Sequence, residues 1–400
     1  MDKLYHTLIV GGGAAGLIAA ARLADRYGGE IAVAERGERL GRKLSLSGNG
    51  QGNLTNSDVS PAHYRSGEKA FPAVALKEFP FESAERFYRT LGIFLTREAG
   101  KKYPLSKQAS AVTDALRCAL EREKVVTKTG FCALKAEKQR GVFTVTAEDG
   151  RRLSAKHLIL AFGGKAAKHL GTDGTSYALA EGFGHRITAV YPALVQLTTQ
   201  TEPIRGLKGI KAEATVFAEG RYRAESRGEV LFTDYGVSGS AIFSVSGAVS
   251  GGGRIEIGFL PEVSEQELIK MLKARAALGL PLAGGIVHNQ LARVLEKQAR
   301  GEIGKLASLI KKFSLPVTGS LGFDAAQVSA GGVDVRDIDA RTMESKLVRG
   351  LYFAGEAMDV DGDCGGYNLH WAYASASAAA AHLLQNGETA NGKTGEEDGA

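Results

Sequence analysis

The chain has 400 residues and a formal charge of +6, from 50 Lys and Arg against 44 Asp and Glu, a small excess for this length. Hydrophobic residues supply 44% of it, which excludes an intrinsically disordered chain, and at roughly 100 to 200 residues per domain the length implies two or three domains. Glycine, at 52 residues, is about twice its ~7% average without a Gly-X-Y period, a composition of tight turns and close backbone approaches.

Residues 5–10 are apolar, 14–27 are rich in Ala and Leu, and 30–34 are apolar again, which predicts a βαβ unit. From 36 to 60 the pattern breaks into Gly, Ser and Asn; 81–91 and 107–123 then read as amphipathic helices. Short alternating runs at 125–129, 133–136, 142–146 and 157–161 read as strands joined by polar turns. Further alternating runs between 191 and 259, such as 214–218 and 229–232, predict a small β-rich insert with few helices, and 264–312 reads as two or three helices with basic faces. The runs 351–354 and 369–384 return to strand-then-helix. The resulting division is 1–190 and 323–385 as one nucleotide-binding domain, 191–260 as a β-rich insert, 261–322 as its helical segment, and 386–400 as a polar, disordered tail.

Gly11-Gly12-Gly13-Ala14-Ala15-Gly16 fits G-x-G-x-x-G directly between a strand and a helix, the context that makes the pattern specific. Gly11 permits the turn, Gly13 lets a pyrophosphate approach the helix N-terminus, and Gly16 lets helix and strand pack closely. Glu35, with Arg36 beside it, ends the next apolar run roughly 20 residues on, where an acid accepts from an adenosine ribose. FAD and NAD are not separated by this motif. A second Gly-rich segment favours FAD: Gly350-Leu-Tyr-Phe-Ala-Gly355-Glu356, then Asp361-Gly-Asp-Cys-Gly365-Gly366-Tyr-Asn368-Leu-His-Trp, opening a second helix. A long dinucleotide is held at its pyrophosphate and again at its flavin, and a helix N-terminus beside the ring stabilises the anionic reduced form. Gly355, Glu356, Asp361, Gly365, Gly366 and Asn368 are its candidate contacts.

From residue 8 to about 380 the sequence resembles the bacterial aminoacetone oxidase-like and 3-dehydro-bile acid reductase-like family of NAD(P)/FAD-dependent oxidoreductases. The resemblance lies in Gly41-Arg-Lys-Leu-Ser-Leu-Ser-Gly48, Tyr103-Pro-Leu-Ser106, Ala161-Phe-Gly-Gly164, Gly228-Glu-Val-Leu-Phe-Thr233, Ser329-Ala-Gly-Gly-Val333, Thr342-Met-Glu-Ser345 and the segment 355–371. It implies an α/β fold: a discontinuous, Rossmann-like FAD domain of the glutathione-reductase type, with an inserted β-barrel-like domain and a helical segment. It also implies that Arg42, Lys43, Ser47 and Gly48 line the cofactor, that the backbone around Cys132 meets the adenine, and that Gly163 and Gly164 face the adenosine half. The chain departs from the family where Arg-Cys becomes Gln51-Gly52, a His becomes Asp234, and Tyr-Asn-x-Gln becomes Tyr367-Asn-Leu-His370.

Three residues are candidates for chemistry beside the flavin. His370, at the helix start, has the ordinary acid/base range of imidazole; Asp234 replaces a family His as an acid; Tyr367 stacks or hydrogen-bonds. Cys364 admits a reactive-thiol reading at a helix N-terminus, but Cys118, Cys132 and Cys364 form no C-x-x-C pair, so neither a disulfide framework nor a metal cluster is expected. The compartment is read as the reducing cytoplasm, and no membrane span is expected, although 7–21 mimics a signal segment. Lys270, Lys273, Arg275, Lys311 and Lys312 fit a solvated helix face better than a nucleic-acid surface. The function expected is an FAD-dependent oxidoreductase acting on a small molecule, with NAD(P)H as a possible transient donor and an insert that covers the flavin. The alternatives are a catalytically decayed flavin-binding redox sensor or partner-binding protein, and a flavoprotein acting on tRNA. Oligomeric state is not encoded in these patterns.

Overall fold

The apolar run after Lys3 forms strand Leu4–Val10, and Gly11, at φ +108°, turns it into helix Ala14–Tyr27. The computed structural model describes residues 3–96, 98 and 100–392, so 393–400 of the expected tail lie outside the described residues. The chain divides into two compact units, one of residues 1–190 with 328–400 and one of 191–327.

The larger unit is built on a seven-stranded sheet. Strand Leu4–Val10 lies between Ile31–Ala34 and Arg152–Leu160, parallel to both; Val126–Lys128 extends one side beyond Ile31–Ala34. On the other side Arg152–Leu160 pairs antiparallel with Val142–Ala147 along its first half and parallel with Leu351–Phe353 along its last residues; Ala133–Gln139 forms the outer edge. Ile31, Ala32, Val33 and Ala34 are all buried, as expected of parallel strands covered on both faces. The registers align Val10 with Ala34 and Leu160, and Leu160 with Phe353. Four strands therefore end level, and the loops after them gather along one edge of the sheet, where α/β sheets bind ligands.

The last helix, Tyr367–Gly392, packs against Ala14–Tyr27 and against Phe71–Glu78. Its continuation through Gly392 makes 386–392 helical, which corrects the structureless reading for those residues. A buried aromatic cage joins these helices: the Arg22 guanidinium lies 5.0–5.6 Å from the rings of Phe79, Phe87 and Tyr373 and donates to the Tyr373 hydroxyl at 2.6 Å. Cation–π contacts of this kind strengthen as water is excluded.

The second unit is a closed antiparallel barrel of six strands, in the order Leu197–Thr199, Gly236–Ser238, Arg223–Phe232, Lys211–Glu219, Gly253–Gly258 and Phe313–Ser320. One expectation needs correction, and one of the few helices expected in the insert is now located. Residues 313–320 are not helical but form the strand that closes the barrel onto Leu197–Thr199. Within the β-rich stretch, Ser240–Val249 is a helix with seven buried residues; a short apolar run rich in Ile, Val and Ser cannot be separated into strand or helix by periodicity. Helices Glu265–Ala277, Asn289–Ala299 and Ile303–Lys311 bury Leu268, Leu272, Leu291, Leu295, Leu306 and Ile310 in the barrel's core. Lys270 and Lys273 face outward, whereas Lys311 donates to the carbonyls of Leu260 and Val263, both at 2.6 Å, and Arg275 to that of Pro281 at 2.9 Å.

Candidate active site

Sterics dictate the first glycine turn. A Cβ on Gly16 would stand 1.8 Å from the Gly11 carbonyl oxygen, and one on Gly11 would stand 2.3 Å from that of Ala161. No described atom lies within 4 Å of where a Cβ on Gly13 would be, so the N-terminus of helix Ala14–Tyr27 opens onto free space with the unpaired N–H groups of its first turn. Glu35 stands at the end of the neighbouring strand, its Oε2 accepting from the Gly12 N–H at 2.8 Å and its Oε1 from the Gly37 N–H at 2.7 Å. The Phe131 N–H donates to the Glu35 carbonyl at 2.9 Å, which sets the Cys132 backbone beside that strand end. Burial, then a hydrogen bond with Glu148, pushes the Cys132 thiol up, so it remains protonated. Arg36 is tied to Asp173 at 2.7 Å, and Arg42 donates to the His169 carbonyl at 2.9 Å.

The second turn is threaded onto the first. Gly355, at φ +71°, leaves only 2.8 Å between its would-be Cβ and that of Ala15. Its N–H donates to Ser375 Oγ at 2.9 Å, and its carbonyl accepts from Trp371 Nε1 at 3.2 Å. Beside it Glu356 holds Lys43 Nζ at 2.8 Å with one oxygen and accepts the Ser329 N–H at 2.8 Å with the other. Ser329 Oγ accepts in turn from the N–H groups of Lys165 and Ala166, at 2.7 and 2.9 Å. A Cβ on Gly164 would stand 2.7 Å from Glu356 Oε1. Four segments remote in sequence thus meet at Lys43, Gly164, Ser329 and Glu356.

Sequence reasoning quoted Ser329 as part of a motif but assigned it no role. Arg65 and His63, which no motif singles out, and Asp363, quoted in the second Gly-rich segment without a role, surround the buried Asp361 through pairs of 3.5 Å (Arg65–Asp361), 2.5 Å (Arg65–Asp363) and 3.1 Å (His63–Asp363). Nothing in residues 58–66 reveals a partner some 300 positions away.

Several candidate residues turn out to be structural. His370 is fully buried; its Nε2 lies 3.1 Å from the Phe79 carbonyl and its Nδ1 2.9 Å from Thr55 Oγ1. A carbonyl only accepts, so Nε2 carries the proton and Nδ1 accepts from the threonine hydroxyl. Burial pushes the imidazole down to about 4. Both nitrogens are engaged and the ring is neutral, which corrects the expectation of a proton donor beside the flavin. Asp234 is exposed and paired with Lys208 at 2.7 Å, and that hydrogen bond holds its carboxyl below the usual range. An ionised surface carboxylate is no acid, so that assignment is also corrected.

Tyr367 stacks on His63 at 4.3 Å and meets Tyr64 edge-on at 5.9 Å; burial pushes its phenol up to about 12. Asn368 accepts from the Gly362 N–H at 2.9 Å and donates to its carbonyl at 2.8 Å, so its amide fastens the turn. Ser47 Oγ likewise donates to the Leu44 carbonyl at 2.8 Å. Burial raises the Cys364 thiol, against the reactive-thiol reading. Gly52 sits at φ +75°, where a cysteine would be strained; the departure at this position is conformational as well as chemical.

The residues present fit a dinucleotide. An open helix N-terminus, a carboxylate fixed at the end of the neighbouring strand and a second glycine turn lie on one edge of the sheet. Among the described residues the buried atoms Asn53 Oδ1 and Tyr177 Oη have no protein partner, and Asn53 Oδ1 would stand 2.8 Å from a Cβ on Gly366. Buried polar atoms are normally satisfied, so such atoms beside the second turn suit a polar ligand.

Residues 5–382 match the HI0933-like protein Rossmann domain. The chain is 36% identical to the 3-dehydro-bile acid delta(4,6)-reductase of Clostridium scindens, over 92% of this chain and 96% of that one. It is 31% identical to the ribosomal RNA dihydrouridine synthase of Haemophilus influenzae, over 95% of this chain and 98% of that one. Among solved structures, the 3-ketosteroid-delta4-(5alpha)-dehydrogenase of Rhodococcus jostii RHA1 aligns with 95% of this chain and 97% of its own at 14% identity, with a TM-score of 0.49. The chain belongs to the HI0933-like Rossmann family and is an FAD-dependent oxidoreductase with the mixed α/β architecture read from its sequence. Among the described residues no helix is long and apolar enough to cross a membrane.

Proposed function

We propose that the protein reduces a carbon–carbon double bond conjugated to a carbonyl in a small organic substrate, using electrons from an NAD(P)H molecule that docks transiently. The observation that carries this reading is the chemistry shared by two relatives that each span nearly the whole chain. A 3-dehydro-Δ4,6 bile acid and a uridine differ in size and charge, yet in both the bond to be reduced is conjugated to a carbonyl. Reduction of such a bond adds a hydride to its carbon farther from the carbonyl along the conjugated system and a proton to balance the charge.

Bound FAD supplies a two-electron carrier that accepts hydride from one partner and delivers it to another. The chain's own residues would hold it: Gly11, Gly13 and Gly16 would admit the pyrophosphate to the helix N-terminus, Glu35 would accept from the adenosine ribose, and Glu356 would direct the Lys43 ammonium. With one dinucleotide fold in the larger unit given to FAD, the nicotinamide has no second glycine fingerprint of its own and binds only for the transfer.

The test is anaerobic addition of NADPH and then NADH to purified protein while the oxidised flavin band is followed. Rapid bleaching, reversed over many cycles by a 3-keto-Δ4 steroid or another enone, supports the reading. A flavin that neither nucleotide bleaches sinks it and favours the redox-sensor alternative, which the loss of the family Arg and Cys at Gln51 and Gly52 motivates.

A second reading, reduction of a uracil ring within RNA, is favoured by the ribosomal RNA dihydrouridine synthases of Haemophilus influenzae and Escherichia coli, at 31% and 30% identity. Reoxidation of the reduced flavin by RNA, with steep salt dependence and no response to enones, would select it.

A further inference from the structure

Strand Val360–Gly362 pairs antiparallel with Tyr64–Ser66 in a register that sets Asp361 directly opposite Arg65. Asp361 is only 4% exposed. The guanidinium divides itself unequally, with Nη1 3.5 Å from Asp361 Oδ2 and Nη2 2.5 Å from Asp363 Oδ1. Asp363 also receives His63 Nδ1 at 3.1 Å, and the far nitrogen of that ring lies 3.2 Å from the exposed Asp58. Asp359, two residues before Asp361, accepts from the Gly67 N–H at 3.3 Å.

The buried carboxyl therefore shares one cation with a closer competitor and has further carboxyls on either side of it. Burial, which outweighs Arg65, together with Asp359 and Asp363, pushes Asp361 up to about 7. Its neighbour Gly362 is fastened by both backbone groups to Asn368 in the first turn of the last helix. Asp361 thus stands at the base of the helix start that the second glycine turn presents to the cofactor.

We propose that Asp361 is the charge-compensating residue of this site: when bound FAD is reduced, one proton moves from water onto the Asp361 carboxylate, and reoxidation returns it. The proposal rests on the assignment of the second glycine turn to the flavin. The electron pair and one proton arrive together as hydride from a nicotinamide-class donor, leaving one uncompensated negative charge on the cofactor. The only further bond made is O–H on Asp361, and the electron pair departs as hydride to the acceptor. Asp361 touches no reacting atom in this scheme and is a positioning residue for charge.

The experiment uses full-length flavin-loaded protein and its Asp361→Asn variant, titrated with dithionite in the presence of mediators from about pH 6 to 10, with a reduced-minus-oxidised infrared spectrum at about pH 8. Above neutrality the wild-type midpoint potential should fall with pH by up to one proton per two electrons more steeply than that of the variant. Each such proton is a tenfold change in equilibrium constant per pH unit, about 30 mV. A protonated-carboxyl band should appear on reduction of the wild type, shift when the protein carries 13C-labelled aspartate, and be missing from the variant. The isotope shift in the wild type needs no mutant, so a variant that loses flavin does not spare the proposal. Equal slopes, or a wild-type spectrum without the labelled carboxyl band, overturn it with flavin bound. Wild-type protein that binds no flavin at all removes the assignment beneath it.

Discussion

Both ends of the larger unit present a glycine turn to the same sheet edge, and they are built differently. The turn at 11–16 is uncharged within itself. Gly11 and Gly16 are required by contacts of 2.3 and 1.8 Å that a Cβ could not survive, and its charged neighbour Glu35 is held by two backbone N–H groups. The turn at 355–366 is also steric at Gly355 and Gly366, but a network of Asp361, Asp363, Arg65, His63 and Asp58 supports it. A turn fixed by hard-core repulsion holds its shape at any pH. One fixed by titratable groups has a shape and a potential that answer to protons.

The strongest challenge to that contrast is Gly16→Val. The new side chain would collide with the Gly11 carbonyl, so the variant should be recovered without flavin or not folded at all, as read from its absorbance and thermal melt. A Gly16→Val protein carrying flavin at wild-type stoichiometry would end the steric account.

Next in size is the pH dependence of Asp361. Its folded-state value, about 7 against an ordinary 3.8, means that the folded protein holds this proton more tightly than the unfolded chain. The group's contribution to stability is thus full below about pH 4 and is lost as pH rises through 7, on the order of 4 kcal/mol in all. Asp361→Asn should gain stability relative to wild type across that window in denaturant titrations. A difference that does not vary with pH would show that the network does not titrate.

His370 has the opposite sign. Its value near 4 against 6.5 gives stability that is full above pH 6.5 and is lost as pH falls toward 4, about 3 kcal/mol. At pH 7, His370→Ala should cost about 2–4 kcal/mol by leaving the Phe79 carbonyl unpaired and a cavity behind. The rate of flavin reduction per bound flavin should change less than twofold, whereas a large loss of rate at full flavin content would restore its catalytic role. Lys43→Met removes the ammonium from a partly exposed pair with Glu356, and FAD affinity should fall about fivefold, near 1 kcal/mol. Asp234→Asn, on the barrel surface, should change neither melting temperature nor turnover measurably.

The same contrast explains what could be read from the sequence. The first turn was legible because its rule is local: glycines at fixed spacing between a strand and a helix, and an acid one strand later. The barrel insert was legible as alternation, but its closing strand, Phe313–Ser320, was not, because Pro316 interrupts the run and proline argues against a strand. The second turn was recognised by its glycines, yet its partners Arg65 and His63 come from a segment that shows no periodicity. His370 and Asp234 stand out as departures from the family, one at a helix start and one in place of a His, and neither signal reports burial. One lies in a dry core with both nitrogens satisfied, the other in water beside a lysine. Only long-range packing separates those fates.

The position of strand Arg152–Leu160 has a consequence for how the molecule is made. Its last three residues pair with Leu351–Phe353, which the ribosome delivers only after the whole of 191–327. Until then Leu158, Ile159 and Leu160 present an unpaired apolar edge on the nascent chain. The barrel strands between 197 and 320 pair only with one another and can close while that edge waits. The sheet that carries the cofactor is thus completed last, by contacts of high sequence separation that form slowly. Chains stopped before residue 351 should be prone to aggregate through this one edge.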